Sequence, residues 1–494
     1  YYTSMASHGG GFDFSKNKGK EIWKKMLLSW THGGAEYING WLKGWAFEPI
    51  VVMPILFLLV VWVAYALDPM AIEATFAVIV ALSPIWLPYA LLIAFWHQWM
   101  HYIRFRFWFS PGNRPVLLEI TLPPEVEKSP LAMEIFLVSL HQGGGETTFL
   151  HRIWKGQMRM SSALEIASNH GQIRYYIHTR AGWRNIVESR LYGQFPEAQV
   201  REVDDYTRQI PSNLAGYNVW GTEYQKSDPG ALPIKTYQDF NLDKDPDKPE
   251  VQTDPLSQIL ELMGSIGPDE HMWVQFIIRA RKKDEWYGFY LNADKYMDGA
   301  KKVISDITSG AVKRAQDLVS TDDPAEDKKQ KAQAASRGAT LMSEMERRKV
   351  EAIERSMSKP LFEVGIRTIY AAKPDRFMGL NVSSLVTFFA PFRGVGKQTN
   401  SLGVTRGNSI FDYPWQDWNG IRDNIQKHNM LFRYRHRAYF GVPYDQVPIF
   451  MTTEELATIW HFPSSAIRTP ALSRVSAKVS EAPINLPTAD TLPR

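Results

Sequence analysis

Between positions 47 and 95 the chain is apolar almost without interruption. A first run, 47–67 (FEPIVVMPILFLLVVWVAYAL), and a second, 71–95 (AIEATFAVIVALSPIWLPYALLIAF), are joined by a short Asp68-Pro69-Met70-Ala71 link. At ~1.5 Å per helical residue each run reaches roughly 30 Å or more, the thickness of a bilayer's hydrocarbon core. So short a link lets the second run only return. The pattern predicts a transmembrane helical hairpin, with the rest of the chain hung from one side. A buried helix pair inside a large soluble protein is the alternative; the flanking charges favour the membrane.

Those charges also set an orientation. Lys16, Lys18, Lys20, Lys24, Lys25 and Lys43 precede the first run, and Arg104, Arg106 and Arg114 follow the second. The link region carries only Asp68 and Glu73. By the positive-inside rule both termini are expected to be cytoplasmic, in a multi-pass arrangement. Trp23, Trp30, Trp41 and Trp45 before the runs, with Trp96, Trp99 and Trp108 after them, read as an interfacial aromatic belt. The stretch 20–45 reads as an amphipathic segment lying on the inner leaflet. Pro54, Pro84 and Pro88 are expected to kink the spans.

The soluble remainder, in a chain of 494 residues, allows two or three further modules. With no cysteine there is no disulfide framework, thiolate zinc site or thiol nucleophile. A formal net charge of +4 is mild and does not announce a nucleic-acid binder. Neither apolar run has the length or position of a cleavable signal peptide. The chain opens at Tyr1, and Met5 is a candidate natural start.

Alternation and helical periodicity organise the region after the hairpin. Strands are predicted at 114–121, 160–167, 173–179 and 198–203. Helices fall between them, at 131–141 with Leu131, Ile135, Val138 and the neighbouring Leu137 and Leu140 on one face, and around Trp183, Ile186, Val187 and Leu191. This βαββαβ order is ferredoxin-like. A second copy is predicted from strands at 232–237, 272–278, 361–371 and 447–451, with helices at 256–263 and 380–389. The stretch 322–358 interrupts it with a narrow seam (Leu341, Met345, Val350, Ile353, Met357) that reads as a helical hairpin or coiled-coil arm. Thr452 or Thr453 is expected to cap a short helix, with Glu454 and Glu455 in its first turn. Beyond His461 a Pro-rich tail cannot bury a core and reads as linker or peptide ligand.

The expected fold class is therefore an α+β membrane protein. An N-terminal tail and interfacial segment (1–46) leads into a two-helix transmembrane hairpin (47–107). Two cytoplasmic ferredoxin-like modules follow, at 108–210 and 211–461, the second with a helical insertion at about 281–359. The tail is 462–494.

Chemistry is harder to find. Gly394-Val395-Gly396-Lys397-Gln398-Thr399 has a Gly-Lys pair, but Gln398 replaces the hydroxyl residue a phosphate-binding loop needs and Pro391 its first glycine. The triplet Gly143-Gly144-Gly145 reads as a helix stop. His97 and His101 are spaced as two metal ligands would be, yet Gln98 stands where a catalytic carboxylate belongs and no third ligand is evident. Glu48 and Glu73 read as snorkelling helix-end residues; Glu73 or Asp68 in an ion path is the sharper alternative. Tyr175 and Tyr176 sit where RNA-recognition sheets stack bases, but without the signature of those sheets. Arg433, Arg435 and Arg437 with Tyr434, Tyr439 and Phe440 form a basic-aromatic strip that suits phosphates or lipid headgroups, or an ordinary solvated face. No catalytic residue, cofactor site or metal-ligand set emerges, and no enzyme is expected.

Three stretches resemble a known family as text. They are LEIASNHGQIRYYIHTRAGWRNIVESRLYGQFPEAQVREVDDY, KVEAIERSMSKPLFEVGIRTIYAA and PIFMTTEELATIWHFPSSAIRTPALSRVSAKVSEAPINLP. The family is one of bacterial membrane proteins encoded beside, or fused ahead of, ATPases like those of conjugation and type IV secretion. The last stretch normally precedes the motor, and this chain stops where the motor would begin. The resemblance implies a non-enzymatic scaffold of the bacterial inner membrane, oligomeric, that couples to an ATPase on a separate chain. An oligomeric channel or transport subunit gated by its cytoplasmic domains, lined by few polar residues (Tyr65, Thr75, Ser83, Tyr89), is a second class. A membrane-tethered nucleic-acid binder is a third.

Overall fold

The computed structural model describes residues 58–463, apart from 64, 109, 124–127, 143–147, 228–230, 244–253, 283–293, 319–341, 395–398, 408–416 and 441–446. The interfacial segment at 1–46, Glu48, most of the first apolar run, the glycine triplet, the core of the Gly-Lys loop, the first part of the coiled-coil arm and the tail from 464 lie outside the described residues. The described residues form two compact units. Those up to Ile93, with those in 410–423, make one; those from Ala94 to 409, with the rest from Asn424, make the other.

In the first unit proline decides where helices break. Helix α1 (Leu58–Leu67) stops at Asp68 because a residue preceding proline is pushed out of the helical region. Pro69 then opens helix α2 (Pro69–Ala81), as the first helical position tolerates its missing N–H. Leu58–Leu67 and Ile72–Ala81 are bent by 118°. A turn at Leu82 separates α2 from α3 (Ser83–Trp108), which has Pro84 in its first turn and Pro88 inside it. The expected transmembrane hairpin over 47–107 is not what forms: among the described residues no single helix is long and apolar enough to cross a bilayer, and only the bent pair meets that measure jointly. Apolar composition runs on past Asp68-Pro69 and past Leu82, but the helix turns sharply at the first of these, while across Leu82 helical bonds persist, from the Leu82 N–H to the Val78 carbonyl (2.9 Å) and from the Trp86 N–H to the Leu82 carbonyl (3.3 Å). In the last part of α3, Gln98, His101, Arg104 and Arg106 end the apolar character. At the other end of this unit, the Asp417 carboxylate accepts the backbone N–H groups of Arg422 (2.8 Å) and Asp423 (3.1 Å).

The second unit is built on one sheet of nine strands with antiparallel neighbours. Its first half comprises β1 (Pro115–Thr121), α4 (Pro130–Leu140), the short α5 (Phe149–Ile153), β2 (Ser161–Asn169), β3 (Gln172–Arg180), α6 (Arg184–Gln194) and β4 (Gln199–Val203). The second half comprises β5 (Asn218–Lys226), α7 (Leu256–Gly264), β6 (Glu270–Ala280), α8 (Lys295–Leu318), α9 (Glu344–Ser358), β7 (Leu361–Ala372), α10 (Gly379–Val386) and β8 (Leu402–Gly407). Helix α11 (Ile421–Arg435), β9 (Ile449–Thr452) and α12 (Thr453–Ile459) complete the chain order. Strand order is β4-β1-β3-β2-β6-β7-β5-β8, with β9 paired to β7. The halves are zipped by β2 against β6, from Ser161 opposite Arg279 to Asn169 opposite His271. The expected fold class, a membrane hairpin carrying two ferredoxin-like modules, therefore gives way to a broken apolar helical segment and a single continuous nine-stranded sheet. An unsatisfied β2 or β6 edge would leave a row of backbone donors and acceptors open, and pairing them to each other closes both.

Several local readings change as well. The second half opens with β5, and the 232–237 stretch read as a strand is irregular. Of the residues read as one face of α4, Leu131, Ile135 and Val138 are exposed, while Leu137 and Leu140 are buried together with Met133 and Phe136. The helix is apolar nearly all round, so periodicity alone could not choose its face. The choice rests on Glu134: its carboxylate is buried and accepts bonds from Tyr237 Oη (2.6 Å), Lys359 Nζ (2.6 Å) and Thr453 Oγ1 (3.0 Å). In the insertion, Arg314 pairs with Glu346 (2.6 Å), and Ala300 packs with Ile353 and Met357, which makes α8 and α9 antiparallel.

The sheet's two faces differ in chemistry. One face gathers Leu118, Leu164, Ile177, Val274, Phe276 and Ile366 with side chains of α4, α6, α7 and α12 into the main core. The other carries Glu119, Glu165, His178, Gln275, Glu363 and Arg367, all buried.

Candidate functional site

None of the described side chains from Leu58 to Trp96 is buried. Large apolar residues face outward throughout, among them Trp62, Phe76, Ile85, Tyr89 and Phe95. Soluble monomers rarely expose contiguous apolar surface beyond a few hundred Å². Trp86 Nε1–H donates to the Ile79 carbonyl (2.9 Å), so this indole needs no water. Asp68 and Glu73 are exposed at the α1–α2 break and in the first part of α2.

From Ala94 onward the same α3 is seated on the sheet unit. Met100 and Ile103 are buried there. Trp99 Nε1–H donates to the Ile153 carbonyl (2.9 Å), and its ring stacks on Phe95 (6.1 Å) and meets Trp154 at a tilt (5.5 Å). Gly156 has φ +64°, and a Cβ there would lie 2.4 Å from the Ile103 carbonyl oxygen, so only glycine lets the loop approach α3 so closely. The Arg180 guanidinium lies over Phe107 (5.2 Å) and Trp108 (5.1 Å). Trp99 and Trp108, read from sequence as interfacial belt residues, thus hold α3 to the sheet, while Trp96 is exposed.

Three residues of the basic-aromatic strip, Tyr434, Arg437 and Tyr439, are buried, and Arg433, Arg435 and Phe440 are half-buried. Arg437 is buried and makes ion pairs with Glu165 (2.9 Å) and Asp205. Burial works against its charge, but the two carboxylates more than offset this and raise its pKa. Asp205 is held below its usual range: burial alone would raise it, and Arg437 lowers it. Tyr434 Oη meets Tyr206 Oη at 3.0 Å, and Tyr206 Oη donates to Glu165 (2.8 Å); burial raises both phenols. Arg435 donates to the Ser212 hydroxyl (2.8 Å) and the Thr207 carbonyl (2.9 Å). Tyr439 lies flat against Gly365, where any Cβ would come within 2.4 Å of the ring. The strip therefore straps the β2–β6 seam, touching Glu165 on one half and Gly365 and Arg367 on the other. Its signal in the sequence was on the strands: a charged or amide residue at alternate positions of otherwise apolar β-stretches (Glu165, Gln275, Glu363, Arg367) marks a second, polar buried face.

The remaining candidates are dispersed. Tyr175 is buried against Trp460 and Phe462, and Tyr176 is buried against Tyr206 at 4.8 Å. His101 is exposed, and the His97 side chain lies outside the described residues. Among the described residues, no three His, Asp or Glu side chains gather to hold a metal ion. His170 and His271 meet edge to face at 5.0 Å at the end of the seam. Burial, then the neighbouring His170, lowers His271 to about 4. Comparison with models of known protein families and with curated proteins finds no match.

Proposed function

We propose that the chain is a membrane-attached, non-enzymatic scaffold of a bacterial secretion- or conjugation-like machine, docking an ATPase carried on another chain. One observation supports the reading above all others. An apolar helical segment with no buried side chain among those described continues, within α3, into residues packed on a sheet unit through Trp99, Ile103 and Trp108. Such an arrangement suits a part that holds other components at a bilayer. The apolar segment would rest in the inner membrane, with the sheet unit on the cytoplasmic side where the flanking lysines and arginines belong. The resemblance of three sequence stretches to membrane partners of secretion-type ATPases supplies the choice of machine.

The test is purification from native membranes in mild detergent, followed by measurement of particle mass and composition. A large assembly that carries an ATPase chain supports the reading. A homo-oligomer without ATPase favours a channel or transport subunit. A monomer in the soluble fraction overturns the reading.

A further inference from the structure

The sheet unit has a second apolar surface beside α3. The short helix α5 and the residue after it expose Leu150 (58%) and Trp154 (68%), and Trp154 is fastened to α3 through Trp99. Tyr102 and Phe105 of α3 are exposed on the same seat, Tyr102 with its ring 6.2 Å from Trp99. Exposed Arg106 and Lys155 accompany them. Both elements are free of acid: the chain has no Asp or Glu between Glu73 and Glu119, nor between Glu146 and Glu165. A protein groove with mixed charge would have no reason to exclude carboxylates from both stretches. A negatively charged lipid surface would repel them and favour the basic and aromatic residues that remain.

We propose that α5, Trp154 and the exposed face of α3 from Tyr102 to Arg106 form an interfacial seat for anionic lipid headgroups. Leu150 and Trp154 enter the headgroup–acyl boundary, and Arg106 and Lys155 pair with lipid phosphates. The seat rests on the membrane reading above and adds to it a contact by the sheet unit itself, selective for anionic lipid. It would hold that unit against the bilayer and restrict its swing.

The chain lacks cysteine, so single cysteines can carry a polarity-sensitive fluorophore without background. Full-length protein labelled at Leu150→Cys, Ile85→Cys or Ser383→Cys would be reconstituted into phosphatidylcholine vesicles with or without about one third phosphatidylglycerol, each containing a lipid with a shallow nitroxide quencher. The seat predicts quenching at 150 that is strong with phosphatidylglycerol, weak without it, and lost in the Arg106→Glu/Lys155→Glu background, while 383 on α10 stays unquenched. Quenching at 85 without quenching at 150 overturns the seat and leaves membrane attachment standing. Absence of quenching at both 85 and 150 overturns attachment and the seat together. Quenching at 150 that ignores both phosphatidylglycerol and the charge reversals, or equal quenching at 383, overturns the anionic seat.

Discussion

Helices α2 and α12 invert the usual relation between composition and burial. Helix α2, PMAIEATFAVIVA, is nearly all apolar, and its described side chains are exposed or half-buried. Helix α12, TEELATI, has two glutamates and two threonines in seven residues, and every one of its side chains is buried. The difference lies in what each backbone and side chain is offered. The α12 N-terminus is closed by a reciprocal capping box between Thr452 and Glu455. Glu455 pairs with buried Lys226 (2.7 Å) and accepts the Ile234 N–H (2.9 Å), and Thr458 accepts the Tyr237 N–H (2.9 Å). Leu456, Ile459 and Trp460 then fill the main core. Burying polar groups is tolerated because each is paired. Among the described residues helix α2 has no such surroundings, and its apolar surface stays open.

The sharpest way to break this contrast is to remove one polar partner of α12. Lys226→Met leaves the Glu455 carboxylate buried without its cation, and a loss of about 3–5 kcal/mol is expected in denaturant unfolding of the detergent-solubilised protein. A loss under about 1 kcal/mol would show that water reaches Glu455. His271 carries the same lesson into the β2–β6 seam. Its folded-state pKa of about 4 lies below the ordinary 6.5, so the unfolded chain binds the extra proton between those values. Stability attached to this group is complete above pH 6.5 and is lost as pH falls toward 4, by about 3 kcal/mol in all. Unfolding measured across that window should be flatter in His271→Gln than in the parent; parallel curves would mean that His271 is protonated at no cost.

A smaller effect is expected at the cap. Thr452→Ala removes the hydroxyl that accepts the Glu455 N–H (3.1 Å) and should cost about 1 kcal/mol, read as a shift in denaturation midpoint at unchanged slope. The smallest belongs to α2. Val78→Ser lies on an exposed position and should change stability in detergent by no more than about 0.5 kcal/mol. A larger loss would place Val78 in a protein contact and remove the contrast with α12.

Legibility in the sequence followed the range of the physics involved. The strands at β2, β3, β6 and β7 were readable because alternation and β-branched content are local. The cap was readable to within one residue, Thr452 or Thr453, because capping depends only on neighbours a few positions away; the capping box with Glu455 selects Thr452. The first strand of the second half, β5, was missed: NVWGTEYQK is a polar-looking run whose buried positions, Val219, Gly221, Thr222, Glu223 and Tyr224, are decided by what packs on each face. The arginine strip was noticed, but its place was not. Glu165 lies far from Arg437 in sequence, and only the folded sheet brings them to 2.9 Å. Phe462 looked like the start of a tail, yet it packs against Phe195 at 4.8 Å.

By itself the sequence determined that 58–95 is an apolar segment, that prolines punctuate it, and that strands and capped helices follow. Those properties arise from side-chain chemistry and from backbone restrictions acting over a few residues. Long-range packing decided that α3 is seated on the sheet from Ala94 onward, that two βαββαβ halves share one sheet, and that charged residues occupy its interior. Long-range pairing, across about one hundred residues for the backbone edges of β2 and β6 and more than two hundred for the charges of Glu165, Glu455 and Arg437, satisfies these groups, and no local pattern encodes which distant partner will do so.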